Sequence, residues 1–239
     1  RCAGGMVRST SGWVLAIDAA SGINVGLAHD GRPVDSRTET SSRKHVEELM
    51  PMIDELLAAH DLSASDLSLI AVGIGPGPFT GLRIGIVTAR TLGLVAGVAV
   101  RGFGSLDAIA AAWFAGESRP DSPVVVAADA RRKELYWAAY DASGIRETGP
   151  AVTVPGGLPL LPVGGPGIEV YPEVFADRIA PGAPHRLDAA LAAAMIDHLP
   201  DTGLEPAYLR KPDAEVPRTR KSALPSTKKL RIAYRQEGR

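Results

Sequence analysis

Apolar positions along the chain switch between two spacings. Val14–Ile17 is a short apolar run ending at Asp18, and after the small-residue turn "DAASG" the chain resumes as "INVGLAHDGRPV". An Asp30–Gly31 pair between apolar-rich segments signals a hairpin, so residues 12–40 read as an antiparallel meander of three strands. Residues 41–60 change to helical spacing: Val46, Leu49, Met50, Ile53 and Leu57 share one stripe, Ser41 or Ser42 can cap its start, and Pro51 removes one backbone bond. Strands are expected at 67–75 and 98–103, and helices at 80–97 and 104–116, the latter opened by Ser105. After "ESRPDS" near 117–122, residues 123–145 repeat the opening theme of apolar strand, Asp129, charged turn and second strand. A short strand, a glycine turn at Gly164–Gly167, an alanine-rich helix at 186–199 and an exit segment at 205–212 follow. Strands interleaved with helices predict an α/β fold. The echo of Asp18 in Asp129 divides it into lobes at 12–117 and 118–212, flanked by 1–11 and a tail at 213–239.

Two features break the simple pattern. Met52 and Leu56 lie outside the stripe of the 41–60 helix, so that helix is either sandwiched or meets a partner. In the 80–97 helix, positions 81, 85, 89, 93 and 97 are Gly, Gly, Ala, Gly and Gly. One ridge is nearly bare backbone, open to close approach along the i±4 row. Each glycine costs about 1 kcal/mol relative to alanine inside a helix, so packing must hold this helix together.

Composition narrows the class. Of 239 residues, 45% are apolar, 22% charged and 5% aromatic, an ordinary globular balance. The single Cys2 excludes an internal disulfide framework and fits a reducing cytoplasm. It lies upstream of Met6 in "RCAGG", which reads as a disordered stretch or remnant outside the fold. No secretory signal is visible. The longest apolar run, 84–100, is interrupted by Arg90, and a membrane span needs about 20 apolar residues, so the expectation is a buried helix and strand and no membrane. Net charge is −1, yet Val216–Arg239 carries eight Lys/Arg against one Glu. That basic tail reads as disordered, either solvated or touching RNA phosphates.

The conspicuous loop is "GIGPGPFTGLRIG" at 73–85. It lacks the Gly-Lys-Ser/Thr of a P-loop and the Gly-x-Gly-x-x-Gly of a dinucleotide fold, and Pro76 and Pro78 remove two N–H donors. His29, His45, His60, His185 and His198 are never three to five residues apart, so metal-ligand spacing is missing. There is no Gly-x-Ser-x-Gly, and Ser105 reads as a helix cap. Asp18 and Asp129, at strand ends, are the best candidates for acid–base or metal–nucleotide work. The plainer role for each is a turn carboxylate accepting local N–H groups.

"LAIDAA" (15–20), "RKHVEELMPMIDELL" (43–57), "GIGPGPFTGLRIGIVTARTLG" (73–93), "DARRKELYWAAY" (129–140) and "EPAYLR" (205–210) together resemble the bacterial TsaB (YeaZ) family over roughly 13–212. The resemblance implies an actin-like, two-lobed α/β fold of the sugar kinase/Hsp70 superfamily, each lobe a mixed sheet containing a β-meander, with helices. It implies a dimerisation subunit in threonylcarbamoylation of the tRNA adenosine next to the anticodon. TsaD is then the catalytic partner and TsaE an ATPase partner, with a homodimer as another pairing and tRNA reached through the complex. It implies no intrinsic cofactor, with ATP or ADP at the complex interface, and a cytoplasmic location. TsaD-type proteins carry a His-x-x-x-His metal motif where this chain has the histidine-free 100–112. The expected partner interface comprises Val46, Leu49, Met52, Leu56, Gly81, Leu82, Gly85, Ile86, Ala89, Arg90 and Gly93. A vestigial nucleotide site would draw on Asp18, Asp129, Gly164 and Gly165, with no metal site. The rival readings are an actin-like ATP-dependent phosphotransferase and a metallopeptidase of the glycoprotease family.

Overall fold

The computed structural model describes residues 10–39 and 45–210. Strands β1 (Trp13–Asp18), β2 (Ile23–His29) and β3 (Arg32–Glu39) form the expected antiparallel meander. The β2–β3 turn holds Asp30 and Gly31 at φ of 48° and 71°, the two left-handed positions of a tight hairpin. Helix α1 (His45–Ala58) follows, continuing through Pro51, and then β4 (Leu67–Gly73), α2 (Phe79–Ala96), β5 (Val100–Phe103) and α3 (Ser105–Ala115). Both β4 and β5 run parallel to β1, giving a mixed sheet of order β3-β2-β1-β4-β5.

The second half repeats the plan. Strands β6 (Val124–Asp129), β7 (Leu135–Tyr140) and β8 (Arg146–Thr153) form another meander, and the short β9 (Val163–Gly164) adds to β6 in parallel. Sequence spacing missed β8, whose Gly149 and Pro150 interrupt any alternation. Helices α4 (Gly167–Val170), α5 (Pro172–Phe175) and α6 (Ala189–Ala194) complete the described chain. Two mixed sheets of this design, layered with helices, make the two-lobed α/β fold.

Period-two alternation assigns each strand residue to a layer. Leu15 and Ile17 of β1 enter a core under α1 and α2, whereas Val14 and Ala16 face a central core with α3 and α6. Val124, Val126 and Ala128 of β6 reach that same central core from the other side, and Val125 and Ala127 pack outward with Ile168 and Phe175. The order of layers is therefore α1/α2, first sheet, α3/α6, second sheet, α4/α5. Helix α6 starts on Asp188, whose carboxylate accepts from the Ala190 and Leu191 N–H groups, and it packs on β1, β2 and β3. This corrects the expected boundary: 118–212 is not a self-contained lobe, because its alanine-rich helix belongs to the first sheet. Thr10 also belongs to the fold, its hydroxyl donating to Asp197 at 2.7 Å, so only 1–9 of the expected flank, like the caps at 41 and 42 and the tail at 213–239, lie outside the described residues.

Candidate functional site

The glycine-rich loop is packed against its own chain. A Cβ on Gly73 would overlap the Asp18 carboxyl group, and one on Gly77 would sit 2.8 Å from the Ala20 Cα. Asp18 is buried at 1% exposure. Its Oδ1 accepts from the Ala20 N–H at 3.0 Å, and its Oδ2 accepts from the Ser105 hydroxyl. Burial pushes this carboxyl above the ordinary range, while the Ser105 and Ala20 bonds pull in the opposite direction. Ser105 is thus not the cap of α3, which begins on Gly104 without a side-chain cap bond. It ties the start of α3 to the end of β1.

The four residues expected at a vestigial nucleotide site are used by local structure. Asp129 Oδ1 accepts from the Arg131 N–H at 2.8 Å, the turn role that its position suggests, and its Oδ2 lies 3.3 Å from the Arg131 guanidinium. A Cβ on Gly164 would come within 2.7 Å of the Trp113 ring, and one on Gly165, at φ 96°, would overlap the Ala127 carbonyl. Gly164 and Gly165 are therefore close-packing positions of the second sheet. Asp129 lines an open cleft of about 210 Å³, but Asp18, Gly164 and Gly165 do not.

The expected partner interface needs the largest correction. Leu49, Leu56, Leu82, Ile86 and Ala89 are buried within the chain, at no more than 4% exposure. Leu56 belongs to the core although it falls outside the sequence stripe, while Met50 on the stripe is 39% exposed. Met52 packs half-buried on the same core. Val46 lies in the first turn of α1, its side chain outside what is described. The glycine ridge faces inward: a Cβ on Gly81 would overlap the Ala19 carbonyl oxygen, Gly85 would meet the Ala19 Cβ at 3.4 Å, and Gly93 would meet the Val98 carbonyl oxygen at 2.8 Å. The close approach that the ridge permits is with the β1–β2 turn and the β5 approach strand, not with another helix. Of the residues named on α2, Arg90 alone is exposed.

Helix α2 also carries apolar side chains on its outer side. Val87 and Leu94, two turns apart, are 60% and 84% exposed, and the adjacent Val95 is 80% exposed. Together with Arg90 they form an outward face opposite the glycine ridge. By composition α2 is long and apolar enough to cross a membrane, but its glycine face is seated on the first sheet and the β1–β2 turn. Its remaining apolar positions form a surface patch of the kind that marks interaction sites.

Beside the α2 N-terminus is a second cluster that the sequence did not reveal. Phe79 and Tyr208 stack with ring centroids 5.0 Å apart at 26°. The Arg83 guanidinium lies 3.9 Å from the Phe79 centroid, and its Nε donates to the Tyr208 hydroxyl at 2.9 Å. These residues adjoin the cleft lined by Asp129, Arg131, Arg132 and Arg210. The cluster joins positions more than 120 apart in the chain, and only the return of the exit segment, through the Ala207 N–H donating to the Ile74 carbonyl, brings them together.

Comparison with known proteins agrees with this architecture. A family model described as TsaD, tRNA N6-adenosine threonylcarbamoyltransferase, matches residues 37–180, more than half of the chain. The uncharacterized protein Rv3421c of Mycobacterium tuberculosis is 39% identical over 209 residues, covering 84% of this chain and 93% of that protein. The Escherichia coli tRNA threonylcarbamoyladenosine biosynthesis protein TsaB is 38% identical over 136 residues, 55% of this chain and 57% of that protein. Among solved structures, YeaZ from Pseudomonas aeruginosa matches with a TM-score of 0.63 at 25% identity, covering 83% of this chain and 100% of that one. With the two-sheet fold, the packed glycine loop and these matches in hand, the chain belongs to the TsaD-type family as a TsaB/YeaZ member.

Proposed function

We propose that this protein is a non-catalytic, cytoplasmic subunit of the machinery that threonylcarbamoylates tRNA adenosine next to the anticodon, pairing with and activating a TsaD-type catalytic subunit. The observation that carries this reading is the apolar outer face of α2, with Val87, Leu94 and Val95 at 60–84% exposure on a helix whose other face is fully engaged. Burying such a face against a second helical surface supplies roughly 25 cal/mol per Å² of apolar area. Arg90 on the same face and Met50 on the neighbouring α1 extend the surface. A non-catalytic role is supported by the fate of the candidate acids: Asp18 and Asp129 both serve their own turns, and 100–112 offers no histidine. TsaE and tRNA are then partners reached through the complex, and ATP or ADP is bound at its interface.

The test is co-expression with the TsaD-type subunit of the same organism, comparing the native chain with a Val87→Asp/Leu94→Asp double variant. Stable co-purification and stimulated tRNA threonylcarbamoylation are expected for the native chain. The variant should fold with unchanged melting behaviour and lose both. If the folded variant still pairs and stimulates, the outer face of α2 is not the interface. Transfer activity by the isolated chain would overturn the non-catalytic role.

A further inference from the structure

The outer side of the α1/α2 layer is divided by charge. Along α2, Val87 and Leu94 lie two helical turns apart on one line, with Arg90 exposed between them. Along α1, Glu47 and Asp54 have the same spacing and are exposed, and the exposed Glu55 adjoins Asp54. The two helices pack against each other over the same core of the first sheet. Both lines therefore belong to one outward surface, apolar along α2 and acidic along α1.

The energetics of the helix alone does not account for these acids. Helix α1 contains no Lys or Arg, so none of the three carboxylates has a cation one turn away within it. Glu55 stands in the last turn, where the helix dipole disfavours negative charge. The side chains of Glu47, Asp54, Glu55 and Arg90 have no hydrogen-bond or ion-pair partner among the described residues. Protein interfaces place apolar residues at the centre and charge at the rim, and this surface has that layout. Opposite charges across a rim steer encounter and fix register, while like charges repel wrong partners. A second copy of the chain brings the same acidic ridge and answers its three carboxylates with the single free Arg90 of that face. Nucleic acid, itself anionic, is repelled by the ridge. The face suits a helical protein surface with a basic edge.

We propose that the partner of this face carries Lys or Arg opposite Glu47, Asp54 and Glu55 and a carboxylate opposite Arg90, and that this pattern sets which partner helix lies on α1 and which on α2. The inference rests on the pairing reading above, and its test separates the two. Association of the full chain with the TsaD-type subunit of the same organism is followed by biolayer interferometry between about 0.05 and 0.5 M salt. For the native chain the association rate should fall as salt rises. In the combined Glu47→Gln, Asp54→Lys, Glu55→Lys variant it should drop at least about tenfold at low salt and then rise with salt. This variant should melt no lower than the native chain, because lysines suit the C-terminal half of α1. Arg90→Glu should speed dissociation at least about tenfold, since pairing buries its charge between Val87 and Leu94. Unchanged rates and salt dependence in either folded variant overturn the inference and leave the pairing reading standing. Absence of association by the native chain overturns both. Sedimentation that shows the native chain pairing with itself in preference to the catalytic subunit makes a second copy the occupant and overturns both as well.

Discussion

The Ala19 carbonyl oxygen stands where a side chain on Gly81 would begin, whereas the Cβ of that same Ala19 leaves 3.4 Å for one on Gly85. Four residues apart on one helix ridge, the two glycines therefore answer differently to the same substitution. Gly81→Ala forces the β1–β2 turn away and should destabilise by about 1–3 kcal/mol. Gly85→Ala fills available space and gains up to about 1 kcal/mol of helix propensity. Thermal melts should move in opposite directions, by about 2–4 °C per kcal/mol. A loss of stability in both would mean that the ridge is packed evenly along its length.

Leu56→Ala tests whether the α1 residue outside the sequence stripe is core or surface. It is fully buried beside Ile53 and Leu57, so truncation should cost about 2–5 kcal/mol in urea unfolding. A cost near zero would return Leu56 to the surface.

Asp18 makes a signed prediction about pH. Its carboxyl is raised in the folded protein by burial, so the folded state holds the proton more tightly than the unfolded chain does. Its stabilising contribution is complete below the unfolded value near 3.8 and is lost as pH rises through the folded value. The stability of the native chain relative to Asp18→Asn should therefore be greatest in acid and decline towards neutrality. A difference that grows with pH would reverse the sign.

Asp107 carries a buried network behind α3. It accepts from the Tyr140 hydroxyl at 2.8 Å and from Arg146 at 2.9 Å. Burial raises its carboxyl, against the Arg146 charge and the Tyr140 bond. Arg146→Met should cost about 1–3 kcal/mol at neutral pH by leaving the carboxylate without its cation. The deficit should shrink in acid as Asp107 takes up a proton. Chemical denaturation at pH 4 and pH 7 distinguishes this from simple loss of packing, which would be equal at both.

Local signals carried much of the fold. Asp30–Gly31 placed the hairpin, and the continuous apolar runs of β1 and β6 placed strands with two buried faces. The choice of face on the helices was not legible. On α1, apolar residues at 49, 50, 52, 53, 56 and 57 support more than one stripe, and only the sheet beneath decides that Leu56 is in and Met50 is out. On α2 the glycine row announced close approach without naming the neighbour, which proved to be the chain's own Ala19. The Ser105–Asp18 bond and the Phe79–Tyr208 stack join residues 87 and 129 positions apart, and no local pattern encodes such pairings.

The two sheets share their middle layer. α3 and α6 line it mainly with alanines, such as Ala108, Ala110, Ala189, Ala192 and Ala193, and both sheets lie against this thin spacer. A protease nick in the connection at 117–122 would sever the backbone and leave the core whole. The two fragments would stay together through α6, each half completing the other's interior, so the chain has two lobes to the eye and one to a denaturant.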